Sequence, residues 1–169
     1  RELHEKDGYH GHIDSRAILF KGDDARLAGY IPHVLSEIQK GQTSSGRLAV
    51  DPVYVAPEQI SDGVAVDFRA DMYALAVILY EMVTNTRPFM ADNPLQLAML
   101  RLTKNPESPR KLNPNVSPLL DAAIMKALAR DPKERFASLE EFVDAITGGK
   151  KVVKNPLLAV AEEIGEADR

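Results

Sequence analysis

The sequence has no cysteine, which excludes disulfides and thiolate metal sites; a reducing, cytoplasmic setting is the expectation. It has no apolar run of the ~18 residues that a membrane-spanning helix needs. Its opening stretch, RELHEKDGYH, is too charged to form the core of a signal peptide, so no membrane insertion is expected. It has no basic excess either. Lys and Arg number 21 against 25 Asp and Glu, a formal net charge of −4, whereas a nucleic-acid module usually presents a basic face. No internal repeat is visible. No methionine opens the chain, which enters as though in mid-helix, and a piece of a longer protein is expected. The 169 residues that are there suffice for one domain with one substantial core.

Apolar patterning divides them. AILF and ARLA flank KGDD and predict a hairpin over 17–28, because Gly-Asp is turn chemistry. Residues 32–52, with GQTSSG in the middle, read as a loop. ADMYALAVILYEMV at 70–83 is apolar on nearly every face, which predicts a helix buried all round; TNTRPF ends it. Three amphipathic helices follow. Asn93 and Pro94 start the first, with Leu95, Ala98, Met99 and Leu102 at i, i+3, i+4 and i+7. Ser117 and Pro118 start the second, striped by Leu120, Ile124, Ala127 and Leu128. Ser138 and Glu141 form a capping box for the third, whose apolar face is Leu139, Phe142, Val143 and Ile146, and Gly148 and Gly149 stop it. Asn155 and Pro156 open a short C-terminal helix with Leu157, Leu158, Ala161 and Ile164 on one side.

Three stretches in this order, YVAPEQ at 54–59, DFRADMYALAVILYEMVTNTRPF at 67–89 and KALARDPKERF at 126–136, resemble the C-terminal lobe of a bacterial Ser/Thr protein kinase over roughly residues 3–146. The resemblance implies a mainly α fold, a helical kinase C-terminal lobe with a small β-hairpin and no N-terminal lobe in this chain. It divides the chain into a kinase-like lobe at 1–147 and a linker with a short helix or tail at 148–169. It also implies that Glu58 pairs with Arg135 and that Asp71 receives backbone hydrogen bonds from the catalytic loop, both structural roles. An acidic residue entering so apolar a helix needs such donors.

GYHGHIDSRAILF at 8–20 occupies the place of that loop, which in the family reads H-R-D-apolar-K-P-x-N. In the register that keeps the apolar positions in phase, His10 matches the family His and packs in the core. Gly11 replaces the Arg, His12 the catalytic Asp, Asp14 the Lys that meets the γ-phosphate, and Ala17 the metal-binding Asn. Gly29 stands where the family's second metal-binding Asp belongs, while Asp23 and Asp24 fit the hairpin turn. Asp51 takes the place of a Thr that precedes Tyr54.

Phosphoryl transfer rests on positioning and charge neutralisation. A unit charge ~4 Å away is worth ~1 kcal/mol in water and ~4 kcal/mol at an effective dielectric of 20, so exchanging a Lys for Asp14 is costly. These substitutions predict a non-enzyme, a pseudokinase acting through protein contacts in scaffolding or regulation, without cofactor and with ATP and magnesium binding lost. A neutral imidazole at His12 is chemically able to accept a proton. The first alternative is therefore a divergent active Ser/Thr kinase using displaced acids, Asp14, Asp23 or Asp24, to hold the metal. A second is a structural domain of a larger assembly, since a lobe without its mate exposes apolar surface. A protein partner, or an N-terminal lobe or other domain of the parent protein, is expected, and nucleic acid is not. Candidate surfaces are the 32–52 loop with the hydroxyls of Thr43, Ser44 and Ser45, the helix carrying Leu95, Met99 and Leu102, and the C-terminal tail.

Overall fold

The computed structural model describes residues 9–21, 24–27, 51–61 and 63–149. Gly29, Asp23, the Thr43–Ser45 hydroxyls and the expected C-terminal helix lie outside that set. Strands β1 (Ile18–Lys21) and β2 (Asp24–Leu27) pair antiparallel, Ile18 opposite Leu27 and Lys21 opposite Asp24. The two strands of the expected hairpin are therefore present.

Helix α1 (Arg69–Thr84) is the central element. Asp67 accepts a hydrogen bond from the Arg69 amide at 2.8 Å and so satisfies one of its unpaired N-terminal donors. Asn85 closes the other end in the left-handed conformation, at φ 55°, a backbone shape that Asn tolerates better than most residues. Met72, Tyr73, Ala76, Val77 and Tyr80 are buried on several faces, as expected of a helix apolar all round. Helix α2 (Pro94–Thr103) is capped by Asn93, whose side chain accepts from the Gln96 amide at 2.9 Å. Its orientation departs from the apolar stripe. Leu97 and Arg101 face the core, while Leu95 and Met99 are 74% and 54% exposed. The Arg101 guanidinium bonds the Val55 carbonyl at 2.8 Å, a tertiary tie that overrides a stripe of weak amphipathicity.

Helix α3 (Pro109–Leu112) has no counterpart in the periodicity. It is four residues long and held from outside: Asp121 accepts from the Ser108 hydroxyl at 2.6 Å and the Arg110 amide at 3.0 Å. Asp121 belongs to α4 (Pro118–Ala127), which Ser117 caps and which buries Ala123, Ile124 and Ala127 against α1. Helix α5 (Leu139–Thr147) packs on α4. Ser138 accepts from the Glu141 amide at 3.2 Å, but the Glu141 carboxylate reaches the Ala137 amide, not that of Ser138, so the capping box is displaced by one residue. Gly148 ends α5 at φ 68°.

One ion pair ties both halves of the described structure to α1. Both nitrogens Nη1 and Nη2 of Arg135 donate to the Glu58 carboxylate at 2.7 Å, and the two side chains are 0% and 1% exposed. The same guanidinium donates to the carbonyls of Arg69 and Ala129 and lies 5.0 Å from the Tyr73 ring centroid. Every strong donor is thus used, the condition under which a buried pair is tolerated. Arg135→Met strands the Glu58 carboxylate, and a loss of about 3–5 kcal/mol is expected in urea denaturation. A Glu58→Leu/Arg135→Met double variant should lose distinctly less, because neither partner is left charged.

Candidate active site

The loop at 10–17 is built on a buried carboxylate. Asp71, in the first turn of α1 and 1% exposed, accepts from the His10 amide at 2.6 Å and the Gly11 amide at 2.7 Å. Two backbone donors satisfy a charge that burial would otherwise make expensive. Gly11 takes φ 77°, a conformation glycine adopts without the steric penalty of a Cβ. His10 is buried, and its Nδ1 accepts from the His12 amide at 3.4 Å. Gln59 closes the loop from the other side: its Nε2 donates to the Gly11 carbonyl at 3.0 Å while its Oε1 accepts from the Ala56 amide at 2.8 Å.

These contacts fix where His12 leaves the backbone. Its two ring nitrogens are shielded from solvent, and neither meets a hydrogen-bond partner at bonding geometry among the described residues. Burial lowers its pKa below the usual 6.5, and the neighbouring His10 adds to the effect; the Gly11 backbone and the Asp71 carboxylate offset part of it. The ring is therefore neutral at pH 7, with an acceptor lone pair on one nitrogen.

Asp14 is occupied locally. Its Oδ1 accepts from the amides of Arg16 and Ala17 at 2.8 and 3.1 Å, and its Oδ2 from Nε and Nη2 of Arg16 at 3.1 and 2.6 Å. It thus caps the 3-10 turn Ser15–Ala17 and neutralises an arginine. Burial pushes its carboxyl up, but these donors outweigh burial and hold it below its ordinary 3.8. Tyr54 secures the next segment: its hydroxyl bonds Glu81 at 2.8 Å and lies 3.2 Å from the Ser15 hydroxyl. The described residues do not fit a magnesium site. No three carboxylate or imidazole groups converge among them, Ala17 offers no side-chain donor atom, and the Asp14 oxygens are committed. Of the three acids named in the active-kinase alternative, Asp14 serves here as a cap and Asp24 lies in β2 opposite Lys21. Asp23 is outside the described residues.

The structure brings His10 and His12 to Asp71 in the first turn of α1, sets Asp14 and Ala17 in the 3-10 turn that follows, and joins Glu58 to Arg135. Leu95 and Met99 line a shallow groove of about 650 Å³ with Met90, Leu100 and Thr103. Leu102 is half-buried and does not line it. Reading the sequence did not single out Gln59 or Arg101. Gln59 lies inside YVAPEQ, where the Pro-Glu drew the attention; Arg101 is a lone charge at a core-facing position of an otherwise apolar helix. Asp14→Ala removes the cap and should cost about 1 kcal/mol near pH 7. Since the folded pKa of Asp14 is depressed, its contribution is complete above its ordinary 3.8 and disappears as pH falls through the lower folded value. Thermal denaturation of wild type and variant should therefore start to draw together below pH ~4 and coincide only once Asp14 is protonated in the folded state.

The protein kinase domain family matches residues 4–145. A probable serine/threonine-protein kinase of Clostridium perfringens is 33% identical over 113 residues, 67% of this chain and 16% of its own length. The serine/threonine-protein kinase PknB of Mycolicibacterium smegmatis is 33% identical over 111 residues, 66% of this chain and 18% of its length. The tyrosine-protein kinase MasK of Myxococcus xanthus is 39% identical over 104 residues, 62% of this chain and 16% of its length. The chain thus spans less than a fifth of these relatives. Their names are those of kinases, and this corrects the expectation of a non-enzyme. That expectation gave decisive weight to lost side chains, whereas phosphoryl transfer draws on positioning as well as on charge neutralisation, and the backbone supports that position the loop are intact. No helix among the described residues is long and apolar enough to cross a membrane. By the span of the family match and the order of its motifs, this chain belongs to the protein kinase domain family.

Proposed function

We propose that the chain is the C-terminal, acceptor-side lobe of a serine/threonine protein kinase, which transfers the γ-phosphoryl group of ATP to a hydroxyl of a protein substrate. The observation that carries this reading is the neutral imidazole of His12 on a loop whose backbone is held by Asp71. In this reading the acceptor oxygen attacks the γ-phosphorus, the bond to the β-phosphate oxygen breaks, ADP leaves with that electron pair, and the hydroxyl proton passes to His12 once acceptor binding uncovers its shielded ring nitrogens. The lobe supplies orientation: Asp71 and Gln59 fix the loop, and Tyr54 and Arg101 fix the segment facing it. The relatives' names favour Ser/Thr over Tyr as acceptor, since serine/threonine kinases predominate among them.

The test is transfer from labelled ATP by the full-length protein to a mixed protein acceptor, with phosphoresidues identified by mass spectrometry. Wild type should produce phosphoserine or phosphothreonine. His12→Ala should lower kcat by ~10²–10⁴ with little change in KM for ATP, the usual contribution of a positioned base, and His12→Asp should recover part of it. A base works only when deprotonated, and burial lowers the His12 pKa. The rate should therefore climb through a limb below pH 6.5 and be flat by pH ~7. An inert wild type, or transfer indifferent to His12→Ala, refutes the reading.

A further inference from the structure

Arg101 stands out among the buried polar groups. It is 3% exposed, yet no carboxylate lies within ion-pair distance of it among the described residues. Among the described residues its one hydrogen bond is the 2.8 Å contact from Nη1 to the Val55 carbonyl, and its buried Nη2 meets no partner there. The Tyr73 hydroxyl, near enough to interact with it electrostatically, is also buried and unpartnered. Leaving a buried cation this poorly matched is costly, and an apolar side chain of similar volume would serve the core at least as well. Arg101 therefore contributes something other than stability.

What it touches indicates the contribution. Val55 lies between Tyr54, which is tied to Glu81, and Ala56, whose amide is held by Gln59. Gln59 in turn grips the carbonyl of Gly11, the residue before His12. Asp51 accepts from the Val53 amide at 3.0 Å at the head of the same segment. An unbroken chain of contacts thus runs from α2 through 53–59 to the loop bearing His12. We propose that Arg101 is a positioning residue: its guanidinium pins the backbone of 53–56 and, through Gln59, the loop of His12, and so couples the exposed face of α2 to the acceptor site. The proposal depends on the phosphotransfer reading for its kinetic consequence alone.

The experiment is amide hydrogen exchange on the full-length protein as wild type, Arg101→Met and Arg101→Lys, together with kinetics. Arg101→Met conserves volume and removes the donor. Amides at 53–61 should exchange at least ~10-fold faster while those of α1 stay protected. KM for the protein acceptor should rise severalfold with KM for ATP unchanged. Arg101→Lys retains a charged donor and should restore most of the protection. Unchanged exchange at 53–61 in Arg101→Met overturns the proposal. So does an equal rise across α1, which marks general destabilisation, or a Lys variant indistinguishable from Met. If the wild-type protein transfers no phosphate, the phosphotransfer reading falls, while the exchange comparison still decides the role of Arg101.

Discussion

The structure depends on the way one buried carboxylate is satisfied. Asp71 enters the most apolar helix of the chain and has two oxygens to match; the amides of His10 and Gly11 match them. These contacts span about sixty positions of sequence, so they convert an irregular loop into a fixture of the core. Backbone donors are used rather than side chains, and the restraint is therefore blind to what the loop carries. Gly11, His12, Asp14 and Ala17 thus sit in a loop whose hold on α1 runs through the backbone. This separation of frame from cargo lets the loop keep its place in a protein kinase domain whatever side chains it carries.

The altered cargo is redistributed chemistry. The carboxylate at position 14 is neutralised by Arg16 two residues on. An imidazole at position 12 brings no charge at neutral pH, where the family residue brings one. The local field around the loop is thus less polarised than the substitutions suggest when each is counted alone. The expectation of a non-enzyme rested on the groups missing at 12, 17 and 29 as well as on the charge at 14, and the pairing of Asp14 with Arg16 eases only the last of these.

The hairpin, α1, α4 and α5 were legible because each rests on local signals: a Gly-Asp turn, an all-round apolar run, and a Ser before a proline or three residues ahead of Glu. Asn93 likewise announced the start of α2. Elements decided by distant partners were not legible. The short α3 exists because Asp121 reaches back to it, and α2 turns its apolar stripe outward because Arg101 is pulled inward by Val55. Within the site, Glu58 and Arg135 are separated by 77 positions, and only the family motifs place them side by side. Gln59 and Arg101 act on backbone carbonyls, which leave no trace in side-chain patterning.

That long separation has a consequence for how the molecule comes into being. A ribosome makes Glu58 well before it makes Arg135, and during the interval the carboxylate has no counter-charge and no reason to leave water. Segment 53–61 therefore stays solvated in the nascent chain, and with it the Gln59 grip on Gly11. Long-range contacts of this kind close late. The loop of His12 gains its full set of tertiary supports only when Arg135 has been translated, so an unfinished chain is denied that frame by the order of its own synthesis.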